Sequence, residues 1–193
     1  SAAFSRLPSC SRSAASIACR SAASTTSAST MAPPTARFCG VGAEAMSSAV
    51  CNYPSLEAAV NTCIATIQSG IPIARIEIAD EVQIDAINKY SGTAFPVEPT
   101  LFLEFHGSHA SVQEQAEKVK EISGGFGGGD FRWTTKPEER TKMWQARHDA
   151  AYAAKAMRKG AQVWATDVCV PISRLAECIV ETQADIKSLK LIA

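Results

Sequence analysis

The chain has 193 residues, and its 46% hydrophobic against 20% charged content supplies enough apolar side chain for a packed core. Nineteen basic and nineteen acidic residues cancel, which excludes the cationic footprint of a nucleic-acid binder. No run of about 18 apolar residues occurs, which excludes a membrane-spanning helix.

The seven cysteines, at positions 10, 19, 39, 51, 63, 169 and 178, are odd in number and form no C-x-x-C pair. That pattern argues against a disulfide framework or a zinc ribbon and for free thiols in a reducing compartment.

Residues 1–43 contain no Asp or Glu, and the first acid is Glu44. Arg6, Arg12, Arg20 and Arg37 stand there among Ser, Ala and Thr. An Arg- and Ser-rich, acid-poor leader reads as an organellar transit segment, and a low-complexity tail is the alternative. Either way, residues 1–43 are expected to be disordered, with a folded domain over 44–193.

The folded part alternates strand and helix signals. A strand is predicted at 49–53, ended by Pro54. Ser55 then opens a helix whose stripe is Leu56, Ala59, Val60, Cys63, Ile64 and Ile67, stopped by Gly70. A second strand at 73–78 sets Arg75 and Glu77 against Ile76 and Ile78, and a helix follows over 80–90. Thr100–Phe105 is the strongest strand, with Leu101, Leu103 and Phe105 on one face and Phe102 on the other. Ser108 or Ser111 caps a helix to about Ile122.

The glycine run Gly124–Gly129 follows a helix and lacks a preceding strand, so it reads as a connector rather than a phosphate cradle. Thr135-Lys136-Pro137-Glu138 has capping-box spacing and opens a helix to about Met157. A strand at 163–170, broken by Pro171, and a helix from Ser173 to about Ile186 complete the pattern. Periodicity alone leaves a parallel α/β sheet and an antiparallel α+β sheet both open.

Chemistry-bearing residues are few. His106, His109 and His148 form no metal-binding H-x-x-x-H spacing. Cys169, His148 and Asp167 compose a conceivable nucleophilic set, but nothing activates the thiol, and a buried strand cysteine is the simpler reading. Arg147 has Met143, Trp144, Ala150 and Ala151 as its helical neighbours, none acidic. A guanidinium without an intrahelical carboxylate can grip a substrate carboxylate with two parallel hydrogen bonds. The plain alternative is an Arg laying its stem on apolar surface with its head in water.

The segments IPIARIEIADEVQIDAINKYSG (71–92), PTLFLEFHGSHASVQEQAEKVKEI (99–122), DFRWTTKPEERTKMWQARHDAAYAAKAMR (130–158) and TDVCVPISRLAECIVET (166–182) resemble the C-terminal domain of FAD-linked oxidases of the mitochondrial D-lactate dehydrogenase (cytochrome) kind. The resemblance implies an α+β fold, an antiparallel sheet with helices packed on one face, incomplete at its C-terminus. It implies FAD, held mainly by a domain absent from this chain, and a divalent metal in the full-length family. It also implies a D-2-hydroxy acid substrate, oxidation of D-lactate to pyruvate, cytochrome c as electron acceptor, and a mitochondrial location. By the W-x-x-R motif, Trp144-Gln145-Ala146-Arg147, it assigns Arg147 to the substrate carboxylate, with His148, Thr166 and Asp167 as further pocket residues. Ala165 departs from the family, which places a Ser or Lys there. The expectation is a substrate-side cap, inactive alone; the alternative is a non-catalytic carboxylate-binding module or an interaction fragment of the same fold.

Overall fold

A computed structural model describes residues 43–189 apart from Ala161, Trp164 and Thr166; the expected leader therefore lies outside the described residues, save for its last position, 43. Four antiparallel strands form one sheet: β1 (Ala45–Asn52), β2 (Arg75–Ala79), β3 (Thr100–Gly107) and β4 (Arg132–Thr134). They lie in the order β2-β3-β1-β4. The α+β antiparallel arrangement implied by the resemblance is the one observed.

The register sorts the side chains. Leu103 stands opposite Ala49 and Ile76, and Leu101 opposite Cys51 and Ile78. With Phe105, they make a buried apolar face. Two helices close over it: α1 (Leu56–Gln68) and α3 (His109–Gly125). Ser55 caps α1 by accepting from the Ala58 amide at 3.1 Å, and Ser108, rather than Ser111, caps α3 through the Ser111 amide at 3.2 Å. The outer side of α1 carries Val60, which packs with Leu175 and Ile179 of α6 (Leu175–Ser188).

The other face of the sheet is covered too, and this corrects the expectation of helices on one face only. Val50 and Phe102 project to that side and pack against α2 (Glu81–Ser91), α4 (Pro137–His148) and α5 (Ala150–Ala156). The physical reason is Phe102: a central-strand aromatic pointing away from the first core needs a second layer to remove it from water. Ala86, Ala146, Ala150 and Ala153 are small enough to bring these helices close.

Three further expectations change. The helix expected to run unbroken to Met157 is interrupted at Asp149, where α2 takes hold of the junction. Ser91 donates to the Asp149 carboxylate at 3.1 Å, and Gln83 donates to the Ala150 carbonyl at 3.1 Å. The expected Thr135–Glu138 box is replaced by a neighbouring pair, in which Thr134 accepts from the Lys136 amide and donates to Glu139. The strand expected at 163–170 is absent from its described residues, which are irregular, with Val163 and Val168 exposed. Strand propensity without a neighbouring strand to pair with does not make a strand. Pro171 leads into a short 3-10 turn (Ile172–Arg174) before α6 begins.

Candidate functional site

The second face of the sheet carries the charges. Alternation along β2 places Arg75 and Glu77 there, since Ile76 and Ile78 point into the first core. Ser48 of β1 and Glu104 and His106 of β3 share that face, Ser48 standing opposite Glu104. Helix α4 crosses above them with Trp144 and Arg147, spaced so that both look down on the sheet.

Several polar groups of this layer meet one another. The Trp144 indole N–H donates to the Ser48 hydroxyl at 3.0 Å, both groups being buried. The Arg75 guanidinium lies 4.4 Å from the centre of the Trp144 ring, a cation–π contact. His106 Nε2 is 2.7 Å from Glu104 Oε1. The Arg147 Nε lies 3.0 Å from Glu77 Oε2, with the two side chains only 11% and 17% exposed.

This last pair revises the sequence argument about Arg147. Its helical neighbours are indeed free of acids, yet a carboxylate reaches it from β2. The helical neighbours do not reveal it because the partner is 70 residues away in the chain. The available signal was the Arg75/Glu77 alternation: charges on a strand face that Phe102 already marks for covering must find partners in whatever covers them. Glu77 thus pairs with Arg147 as a nearby charge, at 3.0 Å from Nε, rather than through a directed hydrogen bond.

Of the other pocket candidates, His148 follows Arg147 on α4 and is exposed, its ring centre 6.3 Å from that of Trp144. Asp167 is exposed on the irregular segment before α6. Thr166 lies outside the described residues. Cys169 is exposed on that segment rather than buried on a strand, because the strand expected to bury it does not form.

Flavin and metal can be tested against the donors present. A dinucleotide diphosphate needs several main-chain N–H groups aimed at one point. The glycine run turns its own inward: the Gly127 amide donates to the Gly124 carbonyl, Gly128 to Ser123 at 2.8 Å, and Gly129 to Asn52 at 2.8 Å. A Cβ at Gly128 would stand 2.8 Å from the Ser123 carbonyl oxygen, so the loop is packed shut. It is a connector, as its sequence context indicates, and it does not fit the diphosphate. Among the described residues no three His, Cys, Asp or Glu side chains come together to hold a metal ion.

Comparison with protein families matches residues 43–193 to "FAD linked oxidases, C-terminal domain". The chain belongs to this family.

Similar members include the "Probable D-lactate dehydrogenase, mitochondrial" of Danio rerio, 51% identical over 154 residues, covering 80% of this chain and 31% of that protein. The "D-lactate dehydrogenase [cytochrome], mitochondrial" of Arabidopsis thaliana is 40% identical over 144 residues, covering 75% of this chain and 25% of its own. The "D-lactate dehydrogenase [cytochrome] 1, mitochondrial" of Saccharomyces cerevisiae is 29% identical, covering 80% and 28%. The chain thus spans about a third or less of the length of these FAD-linked oxidases. No helix among the described residues is long and apolar enough to cross a membrane.

Proposed function

We propose that this chain supplies the substrate-side cap of a FAD-dependent D-lactate dehydrogenase (cytochrome) of mitochondria, which oxidises D-lactate to pyruvate and passes electrons to cytochrome c. The observation that carries the reading is the family match along residues 43–193, joined to 51% identity with the Danio rerio protein. In this reading Arg147 holds the substrate carboxylate, and His148, Thr166 and Asp167 line the same pocket. FAD carries the redox chemistry when bound. Its diphosphate does not fit the glycine run Gly124–Gly129, and no redox step is assigned to the described residues. Among the described residues no three His, Cys, Asp or Glu side chains come together, so no metal ligand is assigned to them.

The contribution of these residues is binding and orientation. A guanidinium set on α4, with Trp144 anchored to Ser48 one turn before it, is held beside the polar face of the sheet. Holding the acid end of a small 2-hydroxy acid leaves its hydroxyl-bearing carbon at a defined place. The partly buried setting strengthens that grip over what an exposed cation achieves in water.

Titration calorimetry of the full chain tests this. D-lactate is expected to bind the wild type and to lose binding in Arg147→Ala. Equal binding by both proteins removes Arg147 from the pocket and leaves only the family membership.

A further inference from the structure

We infer that Arg75 is a second substrate-binding residue: its guanidinium, set over the Trp144 ring beneath α4, takes the carboxylate of the 2-hydroxy acid together with Arg147. The inference rests on the proposed carboxylate-binding role of this layer and adds to it a residue of β2.

The acids of the layer are engaged elsewhere. Glu104 stands directly opposite Arg75 on β3, where a cross-strand ion pair would ordinarily form. Glu104 instead meets His106, at 2.7 Å, and Glu77, two residues along β2, lies against Arg147. Among the described residues the Arg75 side chain has neither an ion pair nor a hydrogen bond. What it does have is the Trp144 ring, whose centre lies 4.4 Å from its guanidinium carbon.

That contact steadies the cation without using up its donors. Cation–π attraction acts on the charge, while the five N–H groups of a guanidinium still call for acceptors. Trp144 is itself fixed by donating to Ser48, so the side chain rests on a firm bed. Arg75 is partly buried, and a cation partly withdrawn from water attracts an anion more strongly than one in bulk solvent. Charge, planar fork and fixed place together suit a carboxylate.

Position ties it to the proposed clamp. Arg75 and Glu77 point to the same face of β2, about 7 Å apart along the strand. Glu77 marks where Arg147 reaches the sheet, and Trp144 stands three residues before Arg147 on α4. Arg75 thus approaches from the sheet the place that Arg147 approaches from the helix. Arg132 also lies over an aromatic ring, that of Phe95 at 5.0 Å, but it stands on β4, at the opposite edge of the sheet from β2.

Nuclear magnetic resonance and calorimetry of the full chain test this. In the wild type, titration with D-lactate is expected to shift the Arg75 Nε–H signal, and its methyl ester to leave it in place. In Arg75→Gln the D-lactate Kd should rise about tenfold, the scale of one lost charged hydrogen bond, with the Trp144 indole N–H signal unmoved. Arg75→Lys should fall between the two, because an ammonium keeps the charge but not the fork. A Kd within twofold of wild type in Arg75→Gln overturns the proposal, while loss of binding in Arg147→Ala still upholds the clamp. Should Arg75→Gln displace the Trp144 signal or fail to fold, the wild-type Arg75 signal decides: no response to D-lactate overturns the proposal. Equal binding by wild type and Arg147→Ala refutes the reading of Arg147, and with it the shared grip.

Discussion

Arg147 and Trp144 share one helical turn but do different work. Trp144 is 7% exposed and fastens α4 to the sheet through Ser48. Trp144→Phe keeps most of the apolar area and deletes one buried hydrogen bond, so denaturant unfolding should show a loss of about 1 kcal/mol without loss of fold. Arg147→Ala instead deletes the proposed anchor of the substrate and should weaken D-lactate capture by about 2–4 kcal/mol, the scale of a charged hydrogen bond left without its partner. Arg147→Lys should recover little of it, because an ammonium has no planar fork. Elsewhere, burial pushes the Cys51 thiol and the Tyr53 phenol upward, and hydrogen bonding between Tyr53 and Ser123 offsets only part of this. Both groups stay neutral in the folded chain at a pH where the unfolded chain ionises them. Their contribution is therefore complete below the unfolded values, about 8.5 for Cys and 10 for Tyr, and declines as pH rises beyond them. Stability measured against pH should fall in that alkaline window, and Cys51→Ala combined with Tyr53→Phe should flatten the fall. An unchanged slope in the double variant contradicts the assignment.

At the scale of elements, what could be read from the sequence was local. Ser55, Asp80 and Ser108 each precede an apolar-periodic run and each caps a helix, because capping needs only a side-chain oxygen within three residues. The alternation in β2 and β3 correctly sorts Ile76, Ile78, Leu101 and Leu103 from Glu77 and Phe102. What failed depends on distant partners. The break at Asp149 is made by Ser91 and Gln83 of α2, and nothing in 137–157 signals it. The described residues of 163–170 have strand character without a strand beside them. The strand order, the second helical layer and the Glu77–Arg147 pair are likewise set by contacts made across many residues. The glycine run lies between these cases: its role as connector was legible, but the need for glycine at 128 appears only in the packing. Gly128→Ala should cost about 1–3 kcal/mol, because its Cβ would press on the Ser123 carbonyl, which cannot swing aside as a flexible side chain does. A denaturation midpoint equal to wild type would show that the loop yields.

The molecule as a whole is a sheet with two unlike faces. One is an apolar core under α1 and α3; the other combines Phe102 and Val50 with a polar layer under α4, and the proposed chemistry lies in that layer. Beyond α5 the described chain is irregular and exposed as far as Cys169, with Arg158 and Lys159 open to solvent. Limited trypsin digestion should therefore cut the described region first at these two residues, leaving the four-stranded part intact by mass spectrometry. First cuts at Lys118 or Lys120 within α3 would contradict the layering. The most direct test of the central claim changes the ligand instead of the protein. Titrating the full chain with D-lactate and with its methyl ester, which lacks the negative carboxylate, isolates recognition of the acid group. The account predicts that D-lactate binds, that the ester does not, and that the difference vanishes in Arg147→Ala; equal affinity of the wild-type chain for acid and ester would contradict it.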